Sequence, residues 1–159
     1  MFKSVVVLLA WMLSGAAGAQ AMRAEAVAGN LENPWAVAFL PEGRFLVTER
    51  PGRLRVIEAD GRVGEPVTGL PELQASGQGG LLDVVTDGAF ARNRMLYLCF
   101  SQPGAGGAGT ALASARLATD LKRLEDVKII FSQNPKVGGG NHFGCRIVEA
   151  RDGTLFLTL

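Results

Sequence analysis

Residues 35–58 read WAVAFLPEGRFLVTERPGRLRVIE. Three short apolar runs, Trp35 to Leu40, Phe45 to Glu49 and Leu54 to Glu58, are parted by Pro41-Glu42-Gly43 and Arg50-Pro51-Gly52. Runs of five or six residues are too short for helices, and the Pro-Gly breaks between them are turn chemistry. Each run is therefore a strand. Asp60-Gly61 adds a hairpin signal leading to a short strand around Val63.

The same grammar continues along the chain. Leu81 to Thr86, Met95 to Ser101, Thr110 to Leu117, Lys128 to Gln133, Cys145 to Glu149 and Thr154 to Leu159 read as further strands. The Asp87 to Arg94 segment reads as a loop, and Gly104 to Gly109 as a flexible inter-strand loop. The latter lacks the Gly-Lys-Ser/Thr ending of a phosphate loop and opens no helix. Leu117, Leu121, Leu124 and Val127 have helical spacing, so a single helical turn is allowed there. No convincing amphipathic helix is present, and the 21 glycines fit a fold rich in tight turns. The fold class is all-β.

A unit of strand, turn, strand recurs from Trp35, from Gly80 and from Cys145, at about 45 to 65 residues. That is near the period of propeller blades. A blade cannot bury both faces alone and must stack on neighbours. About two and a half blades are expected here, whereas a closed propeller needs at least about four. The expectation is an N-terminal part of a longer propeller.

Charge is balanced, with 16 Lys and Arg against 15 Asp and Glu. Neither a nucleic-acid footprint nor a disordered composition is present. Met1-Phe2-Lys3, the apolar run Val5 to Leu13 and the small residues Ser14 to Ala21 form a secretory signal peptide, with A-x-A sites at Ala17-Gly18-Ala19 and Ala19-Gln20-Ala21. The run is shorter than the ~20 residues of a spanning helix, so stable membrane insertion is not expected. Residues 1–21 are thus assigned as the signal peptide and 22–159 as the mature domain, placed in the periplasm or secreted. That compartment permits a disulfide between Cys99 and Cys145. The plainer reading, two unconnected small apolar residues, is preferred, because sequence carries no Cα separation. Two cysteines and one histidine do not make a zinc site.

Three stretches bear chemistry: Gly77-Gln78-Gly79-Gly80-Leu81-Leu82-Asp83-Val84, Phe90-Ala91-Arg92-Asn93-Arg94-Met95-Leu96-Tyr97, and Pro135 to Val148 with Gly138-Gly139-Gly140-Asn141-His142-Phe143-Gly144-Cys145-Arg146 at its centre. Three glycines let backbone turn sharply or approach a flat ligand. The only histidine follows them, at the mouth of a strand. His142 is either a base that takes a proton from an alcohol or a loop residue that only hydrogen-bonds its surroundings. Gln78 can donate and accept at once, toward a quinone or a sugar hydroxyl, or can simply pack its turn. Arg92 and Arg94 read as a solvated loop pair.

These stretches in this order, with Asn33 to Gly43 and Val47 to Leu54, resemble the soluble quinoprotein glucose/sorbosone dehydrogenase family, in its aldose sugar dehydrogenase branch. The resemblance runs from about Leu31 to Leu159. It implies a six-bladed β-propeller holding pyrroloquinoline quinone in a central top-face pocket with calcium. It implies His142 as the catalytic base, and Gln78 and Asn141 at cofactor-binding positions. Asn141 falls where some relatives carry an aspartate that supports the base. Arg146 fits a structural arginine, and Cys145 falls where relatives often have Ser or Gly. The implied reaction oxidises an aldose sugar to its lactone by hydride transfer to the quinone, with electrons passing to an external acceptor. Calcium ligands and the basic clamp on the cofactor are expected beyond Leu159. A non-catalytic carbohydrate- or protein-binding propeller and a calcium-dependent lactonase-like propeller are the alternatives. The Gly-Gly-Gly-Asn-His-Phe-Gly run argues against both.

Overall fold

The structure, a computed structural model, describes residues 22–159; the signal-peptide assignment lies outside the described residues. Among the described residues, ten strands form three antiparallel sheets. The first sheet is the meander β1 (Pro34–Phe39), β2 (Phe45–Glu49), β3 (Arg53–Ile57) and β4 (Val63–Pro66). The second is β5 (Leu81–Thr86), β6 (Met95–Gly104), β7 (Gly107–Leu117) and β8 (Leu124–Ser132), again in sequence order. The third pairs β9 (Ile147–Glu149) with β10 (Leu155–Leu157). The all-β reading holds. The described residues form two four-stranded meanders and one two-stranded sheet.

Alternation of side chains explains how the sheets stack. On β6, Leu96, Leu98 and Phe100 face the first sheet and join Leu46, Leu54 and Val56 in one core cluster. Tyr97 and Cys99 point to the opposite face and join Leu112, Phe143, Cys145, Ile147, Leu155 and Leu157. The second sheet is thus covered on both sides, which is why half of β6 and most of β7 are buried. Ala111, Ala113 and Ala115 on β7 contribute no bulk to the first cluster, where the larger residues of β6 and the first sheet fill the space.

Buried polar groups are paired. The Thr48 hydroxyl donates to Leu82 O at 2.6 Å and so ties the first sheet to the second. Glu49, 1% exposed, accepts from Arg53 Nε at 2.7 Å and Arg55 Nε at 2.9 Å. Among the described residues no buried side-chain nitrogen or oxygen lacks a partner.

Four local expectations are corrected. The Asp87 to Arg94 segment contains a one-turn helix, α1 (Phe90–Asn93), ended by Arg94 at φ +54°. Leu117 to Val127 is not helical: Leu117 and Leu124 are cross-strand partners flanking the β7–β8 turn, and this places them on one side as a helix would. Gly104 to Gly109 is not a flexible loop, because β6 and β7 stay paired to Gly104 opposite Gly107 and turn through two residues. Cys145 precedes β9 instead of starting it, and it is bonded to Cys99 across a Cα separation of 5.5 Å. The preference for unconnected cysteines is therefore wrong: residues 46 apart in sequence meet because the segment before β9 folds back over β6.

Candidate active site

Two loops meet at one end of the second sheet. The first, residues 74–80, leads into β5. Gln74 N–H donates to Ser101 O at 2.9 Å, and the Ser101 hydroxyl returns a bond to Gln74 O at 2.6 Å. From the other side, the Arg50 guanidinium donates to Gly77 O and, at 3.4 Å, to Gly79 O. Gly80 is required here: it has φ +145°, and a Cβ would lie 1.9 Å from Arg50 O.

The second loop, residues 133–146, connects β8 to β9. Val137 pairs with Ala108 through two 3.1 Å backbone bonds, extending the edge of the β6–β7 hairpin. Lys136 Nζ donates to Gln102 Oε1 and Ser132 Oγ, both at 3.0 Å. Burial without a carboxylate partner pushes its ammonium below the usual lysine value. Phe143 is buried against the second sheet, and the Thr110 hydroxyl donates to its carbonyl at 2.6 Å.

Gln78 joins the loops. Its backbone N–H donates to Gly140 O at 2.8 Å, and its side-chain Oε1 accepts from the His142 backbone N–H at 3.0 Å. Gly77 allows this closeness, since a Cβ there would lie 2.4 Å from Gly140 O. The structure therefore brings together Gln78 and His142, two residues 64 apart in the chain. His142 has φ +62° and an exposed side chain. Asn141 is exposed beside it and makes no hydrogen bond to the ring among the described residues.

The sequence reading missed Asp83. It is 2% exposed on β5, accepts the Ile147 N–H at 2.8 Å and receives Arg146 Nη1 at 3.3 Å on both oxygens. It thereby fixes the start of β9, just past the histidine loop. A carboxylate inside the apolar run LLDVVT was the available signal, because buried carboxylates need partners. Arg146, expected to be structural, pairs with Asp83 from a side chain that is 68% exposed. Arg50 and Thr110 carried no comparable signal.

The arrangement is an exposed imidazole on a loop whose backbone is fixed from several sides, next to an amide held in one orientation. It can accept a proton from a ligand bound outside the loop. Among the described residues, no three His, Cys, Asp or Glu side chains converge to hold a metal ion. A cavity of about 640 Å³ lies elsewhere, between β3, β4 and the β7–β8 turn, and contains neither Gln78 nor His142. No helix of the described residues is long and apolar enough to cross a membrane.

The chain is similar to known dehydrogenases in sequence and in fold. Aldose sugar dehydrogenase YliI of Escherichia coli K12 is 44% identical over 137 residues, covering 85% of this chain and 37% of that protein. A solved glucose dehydrogenase superposes with a TM-score of 0.78 at 50% identity, over 81% of this chain and 38% of its own. The PQQ-bound aldose sugar dehydrogenase of Streptomyces coelicolor superposes at 0.71 with 28% identity, over 84% and 39%. The chain thus spans well under half the length of the relatives it matches. Residues 31–159 match the Glucose / Sorbosone dehydrogenase family, and the chain belongs to that family.

Proposed function

We propose that this chain is the N-terminal part of a six-bladed propeller that oxidises an aldose sugar to its lactone with pyrroloquinoline quinone, after export to the periplasm or beyond. The observation that carries the reading is the Gln78–His142 clasp. It holds the family's candidate base at a fixed, solvent-facing position on a rigid sheet end. The PQQ-bound relative supports the choice of cofactor.

The residues present fit one wall of a quinone site. Gly139 has open space where a side chain would stand, so a planar group can approach the backbone there. With its Oε1 engaged by His142 N–H, Gln78 keeps its amide donors for a cofactor or sugar oxygen. Asn141 offers a second amide at the same mouth. When bound, the quinone supplies the carbonyl that takes up the hydride from the sugar's anomeric carbon. His142 accepts the proton of the anomeric hydroxyl, Gln78 fixes the backbone that carries the imidazole, and the buried cluster under Phe143 keeps that backbone from retreating. Electrons then pass to an external acceptor. Among the described residues no three His, Cys, Asp or Glu side chains form a ligand set for calcium, and no step here depends on that ion.

The test uses the full-length protein with quinone and calcium supplied, following dye reduction by aldoses. His142→Gln should retain quinone binding and lose roughly 10²- to 10⁴-fold in turnover, the range for removal of a general base. A variant that binds quinone and turns over at the wild-type rate removes His142 from the mechanism. A wild-type protein that binds sugar but no quinone points to a carbohydrate-binding propeller instead.

A further inference from the structure

The backbone around the histidine is unusual. Five of the seven residues from 139 to 145, namely Gly139, Gly140, His142, Gly144 and Cys145, have φ in the left-handed region. Glycine adopts it freely, but His142 at +62° and Cys145 at +70° do not. A segment with so little regular backbone cannot hold this shape by local preference. Strained non-glycine residues persist only where surrounding structure over-determines them.

Two anchors follow the histidine closely. One residue after it, Phe143 O receives the Thr110 hydroxyl at 2.6 Å. Three residues after it, Cys145 is bonded to Cys99. Thr110 and Cys99 are both 0% exposed, and they stand on adjacent strands, where Ser101 opposes Thr110 and Cys99 opposes Leu112. Their side chains share one face of the second sheet by the two-residue period of a strand. Thr110 acts on a backbone carbonyl of the loop, and Cys99 on the side chain of Cys145. The sheet therefore holds the loop at two points, one a hydrogen bond and one covalent.

We propose that Thr110 and the Cys99–Cys145 disulfide are positioning residues that clamp the His142 backbone in its left-handed conformation and so aim the imidazole for proton transfer. The catalytic half of this statement rests on the reading of His142 as the base. The clamp itself does not.

The experiment compares full-length wild type with Thr110→Val, Thr110→Ser and the double variant Cys99→Ala/Cys145→Ala. Two readouts are used: steady-state kinetics with quinone and calcium, and hydrogen exchange by mass spectrometry without them. Serine keeps the donor hydroxyl; valine keeps the shape without it. The double variant and Thr110→Val should exchange faster across residues 138–146 while β6 and β7 stay protected. They should lose about 10²-fold in kcat, the scale of a ~1 Å misplacement, with KM changed less than about threefold. Thr110→Ser should behave as wild type. Unchanged exchange across 138–146 overturns the clamp. Exchange that rises equally throughout β6 and β7 also overturns it, because the bonds then only stabilise the sheet. Faster loop exchange with unchanged kcat overturns the positioning role. If the wild type oxidises no sugar, the base reading has failed, and the exchange measurement alone decides whether the two anchors hold the loop.

Discussion

Replacing Glu49 with glutamine removes a charge from a carboxylate that is 1% exposed at the end of β2. Burial by itself raises the pKa of this group. The hydrogen bonds from Arg53, from the Glu32 backbone N–H and from Arg55 outweigh it and hold the carboxyl at about 2, against 4.5 for an ordinary glutamate. A folded-state pKa below the unfolded one stabilises the fold at any pH above the unfolded value, and that stability is lost as pH falls from 4.5 toward 2. The full difference corresponds to about 3 kcal/mol at 1.36 kcal/mol per pH unit. The Arg53 and Arg55 side chains are 30% and 20% exposed, so solvent screens part of it. Glu49→Gln should then cost about 2 kcal/mol at pH 7, and the gap from wild type should narrow by about 1 kcal/mol at pH 3.5. Urea unfolding of the full-length protein, followed by circular dichroism at both pH values, measures this. A gap below about 0.5 kcal/mol at pH 7, or one that stays constant to pH 3.5, would refute the assignment of Glu49 as a buried, charge-paired carboxylate.

Two further outcomes are expected. Gly80→Ala should destabilise by at least about 2 kcal/mol in thermal or urea unfolding, because its Cβ would meet Arg50 O at a backbone angle that L-residues avoid; a variant as stable as wild type would mean that the 74–80 loop is not pinned to Arg50. N-terminal sequencing of protein recovered from the producing cells should start after Ala19 or Ala21, and finding Met1 on the soluble mature protein removes the export assignment.

The strands were legible because alternation and turn residues are local signals. Val47-Thr48-Glu49 with Pro51-Gly52 reads as a strand end and turn from six residues of sequence, and β2 does end at Glu49. Glycine and alanine carry no alternation, so the Gly104 to Gly109 segment looked loose. Its strands continue because Val137 supplies an extra backbone partner from outside the hairpin. The Leu117 to Leu124 spacing fits a helical stripe and a cross-strand pair equally well, and only the pairing partner decides between them. At the site, sequence pointed to Gln78 and His142 separately, by their glycines and their chemistry. That one holds the other's backbone could not be read, because it depends on how the second sheet presents both loops. The disulfide was hidden for the same reason, since the alternation that puts Cys99 on a buried face says nothing of what crosses over it.

The histidine loop has one more property, in the order of folding events. Its defining contacts span 33 residues for Thr110 to Phe143, 46 for Cys99 to Cys145, and 64 for both Gln78 to His142 and Asp83 to Ile147. Closures of this span are slow, so the loop is expected to take its shape late in folding. By the same logic, the transient openings that release it need not unfold the sheet beneath. The disulfide shifts that balance. Closing a loop of this length removes about 4 kcal/mol of chain entropy from the unfolded ensemble. Once oxidised, the chain searches a much smaller space each time the loop reopens, and the shape made last becomes quick to regain.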